Sequence, residues 1–233
     1  MAGRQGFTRR LFSSWESGVA IIFGLVTVGL AMPRLVAAVI LLPGDAIVWE
    51  IRHGLPVAAE ELGIAADTRR TARRLSDGKL ELELGRILLR IGRTREFTGS
   101  DGSTALDEAE VVLRDGLAAS PADAYAWIRL ARTKALLGEP PERFAGALEM
   151  SYLAGRHEPL LYLPRLSLAF GYWDRLDDET RRMSEWQIRQ AWKEMPDELF
   201  ELATTHRATV IVARALRRSP DDLQAFRNRL RGM

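Results

Sequence analysis

The chain has 233 residues, no cysteine, 27% charged residues and a formal net charge of +2. With so small a net charge, and no Lys/Arg block alternating with exposed aromatics, nucleic acid is not expected as a partner. Without cysteine the fold needs no disulfides, and the length leaves about one domain of globular chain beside any membrane segment.

Residues 1–16 read as a short polar tail carrying Arg4, Arg9 and Arg10. Residues 17–42, SGVAIIFGLVTVGLAMPRLVAAVILL, come next, with no charge from Ser17 to Pro33. A helix rises about 1.5 Å per residue and the hydrocarbon core is about 30 Å thick, so this stretch predicts a membrane-spanning helix. The frame from Trp15 to Arg34 is preferred, because it leaves the Arg34 guanidinium among the headgroups and residues 35–49 near the outer interface. The arginines before the span place the N-terminus in the cytoplasm and the rest of the chain beyond the membrane, the periplasm of a bacterium. The same features also fit a cleavable export signal, with Gly29-Leu30-Ala31 as a small-x-small site and Thr8-Arg9-Arg10-Leu11-Phe12 resembling part of a twin-arginine signal. Apolar residues continuing to Leu42 favour an uncleaved anchor.

Pro43-Gly44-Asp45 predicts a break, with Asp45 capping the segment after it. Residues 43–76 are expected to form a membrane-proximal helical linker, so that the domain hangs on a tether. Arg69, Arg70, Arg73 and Arg74 crowd together there and read as a solvated helix face, with anionic headgroups as the alternative contact.

From residue 77 to 233 the pattern predicts a helical domain. Leu80, Leu84, Ile87, Leu88 and Ile91 recur at i, i+4, i+7, i+8 and i+11, one apolar stripe on a helix ending near Gly92. Residues 97–103, FTGSDGS, read as a loop, and Thr104-x-x-Asp107 as a capping box opening the next helix. Ser120-Pro121-Ala122-Asp123 and Ser219-Pro220-Asp221-Asp222 both read as a capping serine, a proline in the first helical position and an acid facing the dipole. Helices are also expected over 124–137, 159–176 and 199–203, after a cap at Asp177 or Asp178, and over 208–216 and 223–230. Alternating apolar and polar runs are missing, so the fold class is all-α.

Ala109, Gly116-Leu117 and Pro121 stand where the tail of a tetratricopeptide repeat (TPR) wants small residues and a closing proline, and Trp127, Leu130 and Ala131 where the next unit opens. The expected architecture is an N-terminal transmembrane helix followed by a TPR-like α-solenoid of antiparallel helix pairs. Trp127 and Trp186 are expected in its core. Such arrays bind through extended inner faces, and Tyr125, Arg129 and Arg132, with Arg165 two helices on, are the candidate partner-binding residues.

Catalytic motifs are missing. His53, His157 and His206 do not pair at ligand spacing, Gly78-Lys79 lacks the rest of a phosphate loop, and the paired acids sit where helix caps want them. No catalytic, metal or cofactor site is expected. An enzyme would need two carboxylates brought together by folding, as in a glycan-modifying hydrolase.

The layout resembles small TPR-like membrane proteins associated with bacterial exopolysaccharide, capsule or O-antigen biosynthesis and export. The resemblance rests on the N-terminal membrane helix, the LPGD-like exit, and the segments AWIRLARTKALLG, LEMSYLAGRHEPLLYLPRLSLAFGYWDRL and QIRQAW. It implies a non-catalytic inner-membrane adaptor with a periplasmic scaffold, and a protein partner from the polymerisation or export assembly. A general envelope assembly factor of the same topology is the alternative.

Overall fold

The computed structural model describes residues 14–75, 79–94 and 100–232. Most of the expected N-terminal tail, with its three arginines, and residues 97–99 of the expected loop lie outside them. The described residues are mostly helical, joined by short 3-10 turns and loops, with no strand among them. They form α1 (Ser14–Arg52), α2 (Ala59–Ala72), α3 (Lys79–Arg93), α4 (Ser100–Ala119), α5 (Ala124–Leu136), α6 (Pro141–Ala154), α7 (Tyr162–Gly171), α8 (Asp178–Glu194), α9 (Pro196–Thr205), α10 (Thr209–Ala215) and α11 (Pro220–Arg231).

The first helix has two halves with different environments. From Val19 to Val36 its large apolar side chains are exposed, among them Phe23, Leu25 and Leu30. The run from Gly18 to Val36 is about 28 Å long at the usual rise, which matches a hydrocarbon core. The helix is long and apolar enough to cross a membrane. Burial starts at Ala37, and Ile47, Val48 and Ile51 are core residues.

Pro43-Gly44 does not break the chain: α1 runs through Pro33 and Pro43 to Arg52. A proline inside a helix costs about 3 kcal/mol, and below Pro43 this is opposed by tertiary packing. Ile47, Val48 and Ile51 join Leu62, Ala65, Leu84, Ile87, Leu88, Ala109 and Val112 in one cluster shared by α1 to α4. The real stop is Gly54 at φ +73, with Gly54 N–H on the Ile51 carbonyl at 3.3 Å and Leu55 N–H on the Glu50 carbonyl at 3.0 Å, a left-handed glycine cap.

Gly44 and Asp45 have a different task. Any Cβ at Gly44 would collide with the Arg69 Nη1 and Thr68 Oγ1 atoms of α2 and come within 3.3 Å of the Ala65 Cα. The glycine is the gap through which Arg69, only 2% exposed, reaches the Asp45 carboxylate. Arg69 Nε also lies 3.5 Å from Glu83 of α3. Arg70 forms a two-pronged bond to Glu108 of α4 at 2.8 and 2.7 Å. The expected solvated arginine face is therefore divided: Arg69 and Arg70 tie four helices together, and residues 43–75, the described part of the expected linker, are packed into the helical body.

The apolar stripe of α3 is buried as its spacing predicts, and α4 packs antiparallel to it, with Gly85 against Leu113 and Gly116 against Leu82. Two start signals are corrected. Helix α4 begins at Ser100, so Thr104 lies inside it, and the apolar run Ala105, Ala109, Val112 buries its face against α3. At the 120–123 turn the cap is Asp123, whose carboxylate accepts the Ala126 amide at 2.8 Å, and Pro121 precedes the helix. Ser219 does precede Pro220 at the start of α11, though its hydroxyl makes no capping bond. Asp177 caps α8 through the Thr180 amide at 2.8 Å.

A larger core runs from Leu113 and Leu117 through α5 to α11, ending on Phe226. Trp173 and Trp192 are buried in it. Trp127 and Trp186, the expected core tryptophans, are only half-buried. The Trp127 indole N–H donates to the Pro121 carbonyl at 2.7 Å, which draws the ring toward the turn and leaves it packed against the edge of the core. The Trp186 ring takes His157 edge-on at 5.2 Å and Arg156 at 4.5 Å. Helices α5 and α6 are again an antiparallel pair, and α8 packs on its sequence neighbours α7 and α9 and on α6 and α10, two helices away on either side.

Candidate functional site: an arginine-lined groove

Helices α3 and α5 each carry an arginine-bearing stripe with the same spacing. On α3 these are Arg86, Arg90 and Arg93; on α5 they are Tyr125, Arg129 and Arg132. Both sets fall at i, i+4 and i+7, which puts each on one face of its helix. The two faces meet across a cavity of about 490 Å³ whose walls also include Ile51 of α1, Leu89, Ile128 and the turn into α7 at Leu160 and Leu161.

Position and charge are both fixed by neighbours. Arg86 Nη2 donates to the Ile51 carbonyl at 3.0 Å and Arg90 Nη2 to the Leu55 carbonyl at 3.0 Å. These bonds brace two guanidiniums against the lower end of α1 without neutralising them. Arg129 lies beside the Tyr125 ring, 5.8 Å from its centroid. Among the described residues, Arg86, Arg90, Arg93, Arg129 and Arg132 have no carboxylate at ion-pair distance.

The electrostatic cost shows in the proton affinities. Burial, then the nearby charge of Arg86, lowers the Arg129 guanidinium to about 10, against the opposing pull of Asp123 and Tyr125. Burial and Arg93 lower Arg132. Burial, Arg52 and Arg90 lower Arg86 despite Glu83. Burial and the Glu158 carboxylate raise the Tyr125 hydroxyl. All these arginines stay protonated near neutral pH, so the cavity holds repelling positive charges that an anion would relieve.

Arg165 does not belong to this lining. It is fully buried: its Nε donates to Ser151 Oγ at 2.9 Å, its Nη1 to the Gly155 carbonyl at 3.0 Å and its Nη2 to the Ser151 carbonyl. Ser151 Oγ in turn donates to the Ala124 carbonyl at 2.8 Å. Arg165 thus satisfies the orphaned carbonyls at the C-terminal end of α6, where the helix dipole favours a cation, and joins α5, α6 and α7. Its role is in the fold, and its guanidinium does not reach the groove.

Neighbouring cavities share walls with the arginine cavity. One, of about 360 Å³, shares Ile51, Arg86 and Arg129 and continues to Val48 and Arg52 of α1. Another, of about 210 Å³, shares Arg93 and Arg132 and reaches Tyr172 and His206. A third, of about 620 Å³, takes over at Tyr172 and His206 and ends on Arg175, Arg207 and Arg214. Together they make a groove from the end of α1 across α3, α5 and α7 to α10.

The three histidines are apart, each with a local structural neighbour: His53 at the Trp49 carbonyl, His157 against Trp186, and His206 3.1 Å from Ser167 Oγ. The α5 half of the cavity was legible in the sequence as Tyr125, Arg129 and Arg132. The α3 half is not singled out by the sequence analysis, because the strong apolar stripe of that helix already accounts for the segment. The signal was present, since 86, 90 and 93 repeat the α5 spacing on the opposite face. Compared with known protein families, curated proteins and solved structures, the chain finds no match.

Proposed function

We propose that this chain is a non-catalytic, membrane-anchored adaptor. In this reading α1 is a single pass through a bacterial inner membrane, the N-terminus is cytoplasmic, and a TPR-like helical domain faces the periplasm. The groove receives a protein partner of a surface polysaccharide biosynthesis or export assembly. One observation carries the reading: a groove lined by unneutralised arginines is built on rigid helices and begins on the same helix that is long enough to span the bilayer. Extended inner faces of helical arrays serve binding, and rows of unpaired arginine favour acidic partners and raise encounter rates. The link to polysaccharide rests on the resemblance in the sequence.

The test is affinity purification of the membrane-embedded protein followed by mass spectrometry, with Arg129→Glu and Arg132→Glu together as the control. The reading expects a discrete envelope partner lost from the variant, whose membrane level stays normal. A C-terminal reporter active only in the cytoplasm would overturn the topology. Normal surface polysaccharide after gene deletion, under conditions of expression, would remove the polysaccharide link and leave a general envelope assembly factor.

A further inference from the structure

We infer that the arginine cavity is a binding site for a compact ligand bearing a diphosphate, or two phosphates held equally close, taken from solution. The inference deepens the reading of the groove as a binding surface and rests on it. Three observations separate such a ligand from the acidic side chains of a partner protein.

The first is charge density. Five guanidiniums, Arg86, Arg90, Arg93, Arg129 and Arg132, line a single cavity. A lone carboxylate brings one charge and engages one or two of them. A diphosphate brings two to three charges and many acceptor oxygens within a few ångströms, and the guanidinium fork matches tetrahedral oxyanions in two-pronged fashion. The carboxylates nearest the site have separate duties or sit to one side: Asp123 caps α5, Glu83 is paired with Arg52, and Glu158 stands beside Tyr125.

The second is preorganisation. Arg86 and Arg90 are each held by one nitrogen on a carbonyl at 3.0 Å, Ile51 in the last turn of α1 and Leu55 just beyond it, which leaves their other nitrogens available. Arg129 and Arg132 are half-buried on a helix fixed at both ends, by the Asp123 cap and by the Lys134 ion pairs to Glu110 at 2.7 Å and Glu139 at 3.1 Å. Guanidiniums immobilised before binding lose little entropy on engaging a ligand.

The third is size and position. A cavity of about 490 Å³ falls in the range of small-ligand sites. Its α1 wall, Ile51, stands nine residues beyond Leu42, the last exposed large aliphatic side chain of α1. That is about 13 Å along the helix, beyond a headgroup layer that adds only about 5 to 8 Å to each side of the hydrocarbon. A diphosphate fixed to a bilayer lipid lies short of the cavity, whereas one free in solution enters it directly. Leu160, 74% exposed beside the cavity, offers an apolar rim to whatever group the diphosphate carries.

The experiment uses the full chain in phosphatidylcholine nanodiscs, titrated with inorganic diphosphate, with acetate as the monovalent control. Expected is a saturable rise in melting temperature and a calorimetric isotherm with diphosphate, weakening as salt is raised, and neither with acetate. Arg129→Gln and Arg93→Gln should each weaken diphosphate at least tenfold; Arg93 is exposed, so that variant reports on binding even where Arg129→Gln folds poorly. A second arm places farnesyl diphosphate in the nanodisc and should add nothing beyond the soluble ligand. No saturable effect in the wild type, wild-type affinity in both variants, or binding only in the lipid arm would each overturn the inference. Partner recovery that fails in the Arg129→Glu, Arg132→Glu protein while diphosphate does not bind wild type would sink this inference and leave the adaptor standing; diphosphate binding with partner recovery unchanged in that variant would keep this inference and remove the groove as the partner's surface.

Discussion

The contact between α1 and α2 at Gly44, Asp45 and Arg69 predicts a stability change out of proportion to its size. Arg69 is almost wholly buried and bonded to Asp45, while Glu83 is 3.5 Å from its Nε and too poorly placed to replace that bond. Asp45→Asn therefore leaves a buried cation short of its main partner. Hydrogen bonds to charged groups contribute about 1.5 to 3 kcal/mol. Because the Asp45 side chain is 55% exposed, solvent screening pulls the expected loss to the lower half of that range, about 2 kcal/mol. For a domain of this size the loss lowers the melting temperature by about 4 to 8 °C. Gly44→Ala adds a Cβ where the Arg69 guanidinium and the Thr68 hydroxyl already sit. Its gain in helix propensity, about 1 kcal/mol, is opposed by displacement of the same guanidinium. Both substitutions act through Arg69, so the double variant should lose less than the sum of the two by more than about 0.5 kcal/mol. Thermal melts of the detergent-solubilised chain, followed by the helical circular-dichroism signal, measure all three. A wild-type melt for Asp45→Asn, or effects that simply add, would refute the reasoning.

Other consequences are equally direct. Trp127→Ala should cost about 1 to 2 kcal/mol, since a half-buried ring and one hydrogen bond are lost, whereas Trp192→Ala, which empties a core site against Phe226, should cost about 3 to 5 kcal/mol; the order of the two melts checks this. Arg165→Met should destabilise by about 2 to 4 kcal/mol by orphaning the Ser151 and Gly155 carbonyls, and a variant that melts like wild type would show that water satisfies them. Burial would raise the Asp177 carboxyl, but the Thr180 amide and hydroxyl outweigh it and hold it below the usual carboxylate range. The cap's contribution, about 1 kcal/mol, is therefore complete above the unfolded value of about 4 and lost as pH falls through the lower folded value; the melting-temperature gap between wild type and Asp177→Ala should narrow there and hold steady from pH 5 to 8.

The contrast between what was legible and what was not tracks the range of the interactions. The α3 stripe and the Asp177 cap are set by residues within a few positions of each other, and the spacing alone locates them. The break expected at Pro43-Gly44 failed because the helix below it is held by partners far along the chain, Arg69 and the α3 core, which outweigh local propensity. Ser120-Pro121 and Ser219-Pro220 share their letters, and an aspartate three residues after each serine, yet differ in outcome: α5 starts only after Asp123, which accepts the Ala126 amide, whereas α11 starts at Pro220 and takes Asp221 and Asp222 into its first turn. Arg165 and Arg129 look alike as arginines on amphipathic helices. What separates them is that Arg165 points at the end of α6, and no spacing within α7 encodes that.

The same long-range packing changes how the anchor bears on the site. Had residues 43–76 been a tether, the groove could sample many heights above a membrane, and its position would carry no information. Instead α1 continues from its exposed half into the body, and its Ile51 carbonyl braces Arg86 inside the arginine cavity. A tilt or shift of α1 therefore moves a wall of the cavity and one of its cations together. In a chain anchored as proposed, the membrane fixes the height of the groove through a helix and not through a flexible linker. An occupant that also holds α1 would then be placed relative to the anchor by a single continuous helix.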